Sequence, residues 1–138
     1  MENLIINGNH ELFDLPKVHF NAETGLCEIE GESYLEKTAE FYDSLLAWLD
    51  QYMHEVKGAI TLNFKLTYFN TSSSKRILYI MLKLKEYSDK GGNVTANWHY
   101  NPGDIEMEEA VEDFMSIAKL EMNLIPDAEL KFNPFDNK

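Results

Sequence analysis

Short runs that alternate apolar with polar residues, separated by segments of helical periodicity, organise most of this chain. Lys17 to Asn21 (KVHFN) and Leu26 to Gly31 (LCEIEG) alternate at period two, and the intervening Asn21-Ala22-Glu23-Thr24-Gly25 has turn chemistry, so the pair predicts a β-hairpin. The earlier patch Leu4 to Ile6 reads either as a further short strand or as an arm ending at Asn7-Gly8. From Thr38 to about His54, Phe41, Leu45, Trp48, Leu49 and Tyr52 recur at helical spacing, with Tyr42, Leu46 and Met53 widening the stripe. Gly58 follows. Then Ile60, Leu62, Phe64, Leu66 and Tyr68 occupy every second position of the longest predicted strand.

That strand stops at Asn70-Thr71-Ser72-Ser73-Ser74, and a helical stripe of Ile77, Ile80, Met81, Leu84 and Tyr87 begins at once. Serine and threonine oxygens accept bonds from unpaired N–H groups in a first helical turn, so Thr71 or Ser72 is expected as the N-cap. Gly91-Gly92 ends the helix, and Val94, Ala96, Trp98 and Tyr100 alternate as another strand, closed by Pro102-Gly103. A third helix is predicted from about Ile105 to Lys119, with Asp104 as N-cap and Glu106, Glu108 and Glu109 near the positive end of its dipole. Leu120 to Ile125 reads as an edge strand before Pro126, while the 126–138 tail has too thin a pattern to assign.

Strand, strand, helix, strand, helix, strand, helix implies an α/β (α+β) architecture, because parallel neighbours need crossovers that helices supply. A mixed β-sheet with about three packed helices is expected. With no repeat, linker or low-complexity tract in its 138 residues, the chain is expected to be a single domain over 1–138.

Charge then narrows the function. Twenty-four acidic residues against twelve basic ones give −12, which opposes nucleic acid and anionic membrane as ligands. No apolar run approaches the roughly 20 residues of a membrane helix. Met1 to His10 lack the pattern of a secretory signal, so a cytoplasmic location is expected. A lone Cys27 in an alternating segment reads as a core residue rather than a nucleophile.

The segment NTSSSK lacks the glycines of a phosphate-binding P-loop. His10, His19, His54 and His99 are the only bases for a nucleophilic serine, and none has an orienting acid at a recognisable spacing or forms an HExxH zinc pattern. A small hydrolase is thus the weakest of three readings, and no catalytic residue, metal or cofactor is assigned. Asp104, Glu106, Glu108, Glu109, Glu112 and Asp113 read as a solvated helix face, with a partner or divalent-ion surface as the other possibility. Two readings of Thr71 to Ser74 compete. They are a set of helix-capping groups in a constitutive adaptor domain, or an accessible loop open to phosphorylation at a helix N-terminus that favours anions. Four hydroxyls in a row exceed what one cap requires.

Gly31-Glu32-Ser33-Tyr34-Leu35-Glu36, Phe41-Tyr42, Trp48-Leu49, Leu66-Thr67-Tyr68-Phe69-Asn70-Thr71-Ser72-Ser73-Ser74-Lys75 and Trp98-His99-Tyr100 together resemble the SiaC family of bacterial regulatory phosphoproteins, over roughly residues 17–125. The YFNTSSSK stretch with WHY downstream is the specific part of the resemblance. The resemblance implies a STAS-like fold, similar to anti-sigma-factor antagonists, and a phosphoacceptor that maps onto Thr71, flanked by Asn70, Ser72, Ser73, Ser74 and Lys75. It also implies a Ser/Thr kinase of the anti-sigma-factor type, an opposing metal-dependent phosphatase, and a diguanylate cyclase or other effector activated by the unphosphorylated protein. Ser33, Tyr34, Glu36, His99 and Tyr100 are the partner-binding candidates. Leu35, where the family usually has proline, and Asn101-Pro102-Gly103-Asp104, in place of a more acidic connection, depart from the family pattern.

Overall fold

A computed structural model describes residues 1–8, 15–34 and 38–131. His10, Glu36 and most of the tail fall outside them. The elements are β1 (Leu4–Ile6), β2 (Lys17–Phe20), β3 (Leu26–Ser33), α1 (Thr38–Gln51), β4 (Ile60–Phe69), α2 (Thr71–Asp89), β5 (Val94–Tyr100), α3 (Ile105–Ala118) and β6 (Asn123–Pro126). Their sheet runs β1-β2-β3-β4-β5-β6. The first two pairings are antiparallel and the remaining three parallel. The patch Leu4 to Ile6 is therefore a strand, and the hairpin, the mixed sheet and the three helices match the pattern of the sequence.

Each parallel step is made through one helix. Because all three crossovers advance in the same direction and α1 packs on α2 and α2 on α3, the helices share one face of the sheet. Beneath them lie Val18, Phe20, Cys27, Ile29, Leu62, Phe64, Leu66, Ala96 and Trp98, all buried, from β2 to β5. The opposite face is polar, as alternation requires. It carries a Glu28–Lys65 ion pair of 3.1 Å and an amide ladder in which Asn97 donates to Asn63 and Asn123 donates to Asn97, each at 2.8 Å. Cys27 is fully buried, and that burial pushes its thiol up to about 12, which makes it an inert core residue.

Two departures from regularity matter. The helix expected to reach about His54 changes at Tyr52 into a π-helical turn, Tyr52–Val56, and closes through Lys57 at φ +56°. This places the Tyr52 hydroxyl to donate to the Ala59 carbonyl at 2.9 Å. Near the other end of the sheet, β3 and β4 slip register: Gly31 faces Leu66 but Glu32 faces Tyr68, leaving Thr67 as the extra residue of a bulge. Phe69 consequently packs, half-buried, against Trp98 and Phe114 of the core, at ring separations of 5.9 and 5.6 Å. Tyr68, expected to extend the buried alternation, instead stacks on the exposed Tyr34 at 4.2 Å.

Gly25 and Gly91 both have positive φ, +75° and +96°, but only one of them is enclosed. A Cβ at Gly25 would lie 1.9 Å from the Ala59 carbonyl oxygen, whereas none of the surroundings comes within 4 Å at Gly91. Gly91→Ala should cost about 1 kcal/mol in urea unfolding, the backbone strain alone. Gly25→Ala should cost clearly more, because a carbonyl that receives the Tyr52 bond has to move; equal losses would show that the close approach is not real.

Candidate functional site

All three helices start at the edge where the parallel strands end, so the termini of β3, β4 and β5 and the first turns of α1, α2 and α3 converge there. Open parallel sheets commonly place their functional groups at this edge. Thr71, Ser72, Ser73, Ser74, Tyr34, His99 and Tyr100 are all brought to it.

The N-cap of α2 is Asn70, not Thr71 or Ser72. Asn70 is extended, at φ −84° and ψ 175°, and its Oδ1 accepts from the Ser73 N–H at 2.9 Å, while Thr71 is already the first helical residue. Asparagine caps as well as serine and better than threonine, so the position one residue earlier wins. Nor is the hydroxyl segment a loop: it is the first turn of the helix, and its members have different fates. Ser73 is fully buried. Ser74 donates to the Thr71 carbonyl at 2.7 Å. Thr71 and Ser72 are exposed, and neither hydroxyl has a partner among the described residues.

Ser73 is held by a buried polar chain. Its Oγ lies 2.7 Å from Ser33 Oγ and 3.2 Å from the Ser33 carbonyl, and Ser33 Oγ lies 2.9 Å from the Tyr42 hydroxyl. With one proton per hydroxyl, a single order satisfies all three contacts: Tyr42 donates to Ser33, Ser33 to Ser73, and Ser73 to the Ser33 carbonyl. Ser33 and Tyr42 are fully buried as well, and a buried hydroxyl without a bond is costly. Burial pushes the Tyr42 phenol up to about 12 against the opposing effect of its serine bonds, so it stays a neutral donor. The Asn70 N–H adds a further bond to the Ser33 carbonyl, at 3.1 Å. β3, α1 and the first turn of α2 are thereby joined directly beneath Thr71.

This geometry removes Ser33 from the partner-binding candidates, since an inward position on β3 leaves its side chain no exposed surface. Tyr34 is retained, 41% exposed and stacked on Tyr68. His99 is half-buried on the polar sheet face, and burial followed by the nearby Lys65 charge lowers its pKa, which favours the neutral ring. Tyr100 packs partly on the core, and its carbonyl accepts from the Asp127 N–H at 2.7 Å. Asp104 caps α3 as expected, accepting from Met107 N–H at 3.1 Å. Its carboxyl is raised above the usual range, chiefly by burial and further by Glu106, against the opposing bond from Met107.

Among the described residues no histidine is bonded to any of these hydroxyls, and His54 Nδ1 pairs with the Asp50 carbonyl. Among the same residues no cluster of His, Cys, Asp and Glu is placed to hold a metal ion, and no helix is long and apolar enough to cross a membrane. The role of Tyr42 is not evident from its place in an apolar stripe. The available signal is a serine at an inward strand position, which requires a buried partner.

These assignments separate three substitutions. Asn70→Ala should destabilise by ~1 kcal/mol through loss of the cap. Ser73→Ala should cost about 2 kcal/mol, because Ser33 is left as a buried donor without an acceptor. Thr71→Ala should remain within about 0.5 kcal/mol, as for an exposed side chain that makes no bond. Urea titrations of the three variants check the order, and a Thr71→Ala loss as large as that of Asn70→Ala would return the capping role to Thr71.

Comparison with known proteins agrees with this architecture. The profile of the family described as SiaC family regulatory phosphoprotein matches residues 9–127. An uncharacterised protein of Pseudomonas aeruginosa (strain UCBPP-PA14) is 27% identical over 99 residues, which are 72% of this chain and 79% of that protein. The crystal structure of apo-SiaC from Pseudomonas aeruginosa superposes with a TM-score of 0.82 at 25% identity, covering 91% of this chain and 99% of the other. A chain from the crystal structure of the diguanylate cyclase SiaD in complex with its activator SiaC, from Pseudomonas aeruginosa, gives 0.83 at 24% identity, with 90% and 99% covered.

Proposed function

The chain belongs to the SiaC family of regulatory phosphoproteins, and from that premise we propose that it is a docking protein switched by phosphorylation of Thr71. In its unmodified form it binds and activates a diguanylate cyclase, which places it in cyclic di-GMP signalling. The observation that carries this reading is the state of the Thr71 hydroxyl: exposed and unbonded, on a turn anchored from below by Ser73. A purely structural reading of the hydroxyls accounts for Ser73 and Ser74. It leaves Thr71 and Ser72 without a task, because Asn70 performs the capping.

The choice of effector rests on likeness to SiaC, the named activator of SiaD. A Ser/Thr kinase of the anti-sigma-factor type and a metal-dependent phosphatase are the opposing enzymes that the family resemblance calls for. The protein itself works by contact rather than catalysis. Partner switching then has a simple physical basis. A phosphate of roughly −1.5 to −2 charges at the first turn of a helix is favourable to that helix, so the fold persists. An effector that covers the same turn has to desolvate that phosphate. It also approaches a chain that already carries −12.

Phosphopeptide mapping of the protein isolated from its native host is the direct check. Label at Thr71 and none at the enclosed Ser73 is the expected result. Label confined to Ser72 moves the acceptor by one residue. An unlabelled turn in a protein that still engages its effector restores the constitutive adaptor.

A further inference from the structure

Around α2 the cations are almost all committed. Arg76 pairs with Asp43 of α1 at 2.9 Å, Lys83 pairs with Asp50 of α1, Lys85 with Asp89 at 3.0 Å, and Lys90, just past the helix, with Glu86 at 3.0 Å. Lys75 is the exception: among the described residues it has no carboxylate within ion-pair distance. It is exposed, and its ammonium leans toward the following turn, 6.0 Å from the centre of the Tyr79 ring. Thr71, Lys75 and Tyr79 stand at i, i+4 and i+8, so they form one row along the exposed side of the helix, and the Lys75 stem reaches either neighbour.

We infer that Lys75 is the residue through which this protein registers its own phosphorylation: it leaves Tyr79 and pairs with the phosphate on Thr71. Resting on the assignment of Thr71 as the acceptor, this inference deepens that reading. Arg76 is next in sequence but is not equivalent. It points about 100° away around the helix and is held by both Asp43 and the face of Tyr79, 5.7 Å from the ring centre. One modification therefore changes two surface features together. A dianion appears at Thr71, and the free cation beside Tyr79 is withdrawn from anything docked on that stripe, which continues to the 42%-exposed Leu82.

The test uses full-length protein carrying phosphothreonine installed at position 71 during synthesis, so that it does not depend on which residue a kinase selects. Phosphorus NMR then follows the second ionisation of that phosphate, which is near pH 6 in the free group. Lys75→Gln should raise its midpoint by about 0.3 unit, the size of an exposed i, i+4 ion pair. Lys75→Arg should restore the midpoint, and Arg76→Gln should leave it unmoved. In the unsubstituted protein, nitrogen-15 spectra of the lysine side chains should show the Lys75 ammonium titrating at higher pH once phosphate is present. An unchanged midpoint in Lys75→Gln, an unshifted Lys75 ammonium, or an Arg76→Gln effect exceeding that of Lys75→Gln would overturn the inference. Failure of the Thr71 assignment would instead appear in phosphopeptide mapping, with these NMR results intact.

Discussion

The hydrogen bond between Ser73 and Ser33 sets the phase of the helix on which the functional reading depends. Both hydroxyls are fully buried, so neither can exchange its partner for water without a large rearrangement. At about 100° per residue, fixing Ser73 inward turns Thr71 and Lys75 to the opposite side of α2. Ile77, Ile80, Met81 and Leu84 then fall on the buried side, while Tyr79 and Leu82 remain exposed. Polar anchoring at the first turn and apolar packing along the helix demand the same rotation, and that agreement gives the site one defined geometry.

Because the anchor reaches into β3 and α1, Thr71, the proposed acceptor, sits on a turn tied to two other elements. Asn70 satisfies the Ser73 N–H, and its own N–H donates to Ser33, so strand end and helix start are joined through backbone as well as side chains. A rigid platform suits a switch whose message is charge. Under the proposed phosphorylation, the added phosphate would alter what a partner meets without asking the core to move, and local compatibility of an anion with a helix N-terminus supports the same outcome.

Much of this was legible in the sequence because period and turn chemistry are local. The alternation in β2 to β5, the helical stripes and the Asp104 cap follow from spacing alone. What escaped depends on pairing between strands. The bulge opposite Gly31 exchanges the roles of Tyr68 and Phe69, and neither residue announces it. The burial of Ser33 and the hydroxyl function of Tyr42 likewise require knowing that β3 ends beside α2. The cap was displaced by one residue because Asn70, Thr71 and Ser72 are all competent caps, and only the strand's last pairing decides which of them remains extended. The hydroxyl cluster itself was readable as a helix start, but its division into two anchored and two free members was not.

The central claim is that phosphate at Thr71 rewrites a surface while the buried anchor beneath it stays in place. Amide correlation spectra of the unmodified protein and of the form phosphorylated at Thr71 test it residue by residue. The account predicts perturbations concentrated on Asn70 to Tyr79, with the amides of Ser33 and Tyr42 and the strands β2 to β5 essentially unmoved. Shifts that spread through β3 and α1, or a collapse of dispersion that signals unfolding, would contradict it.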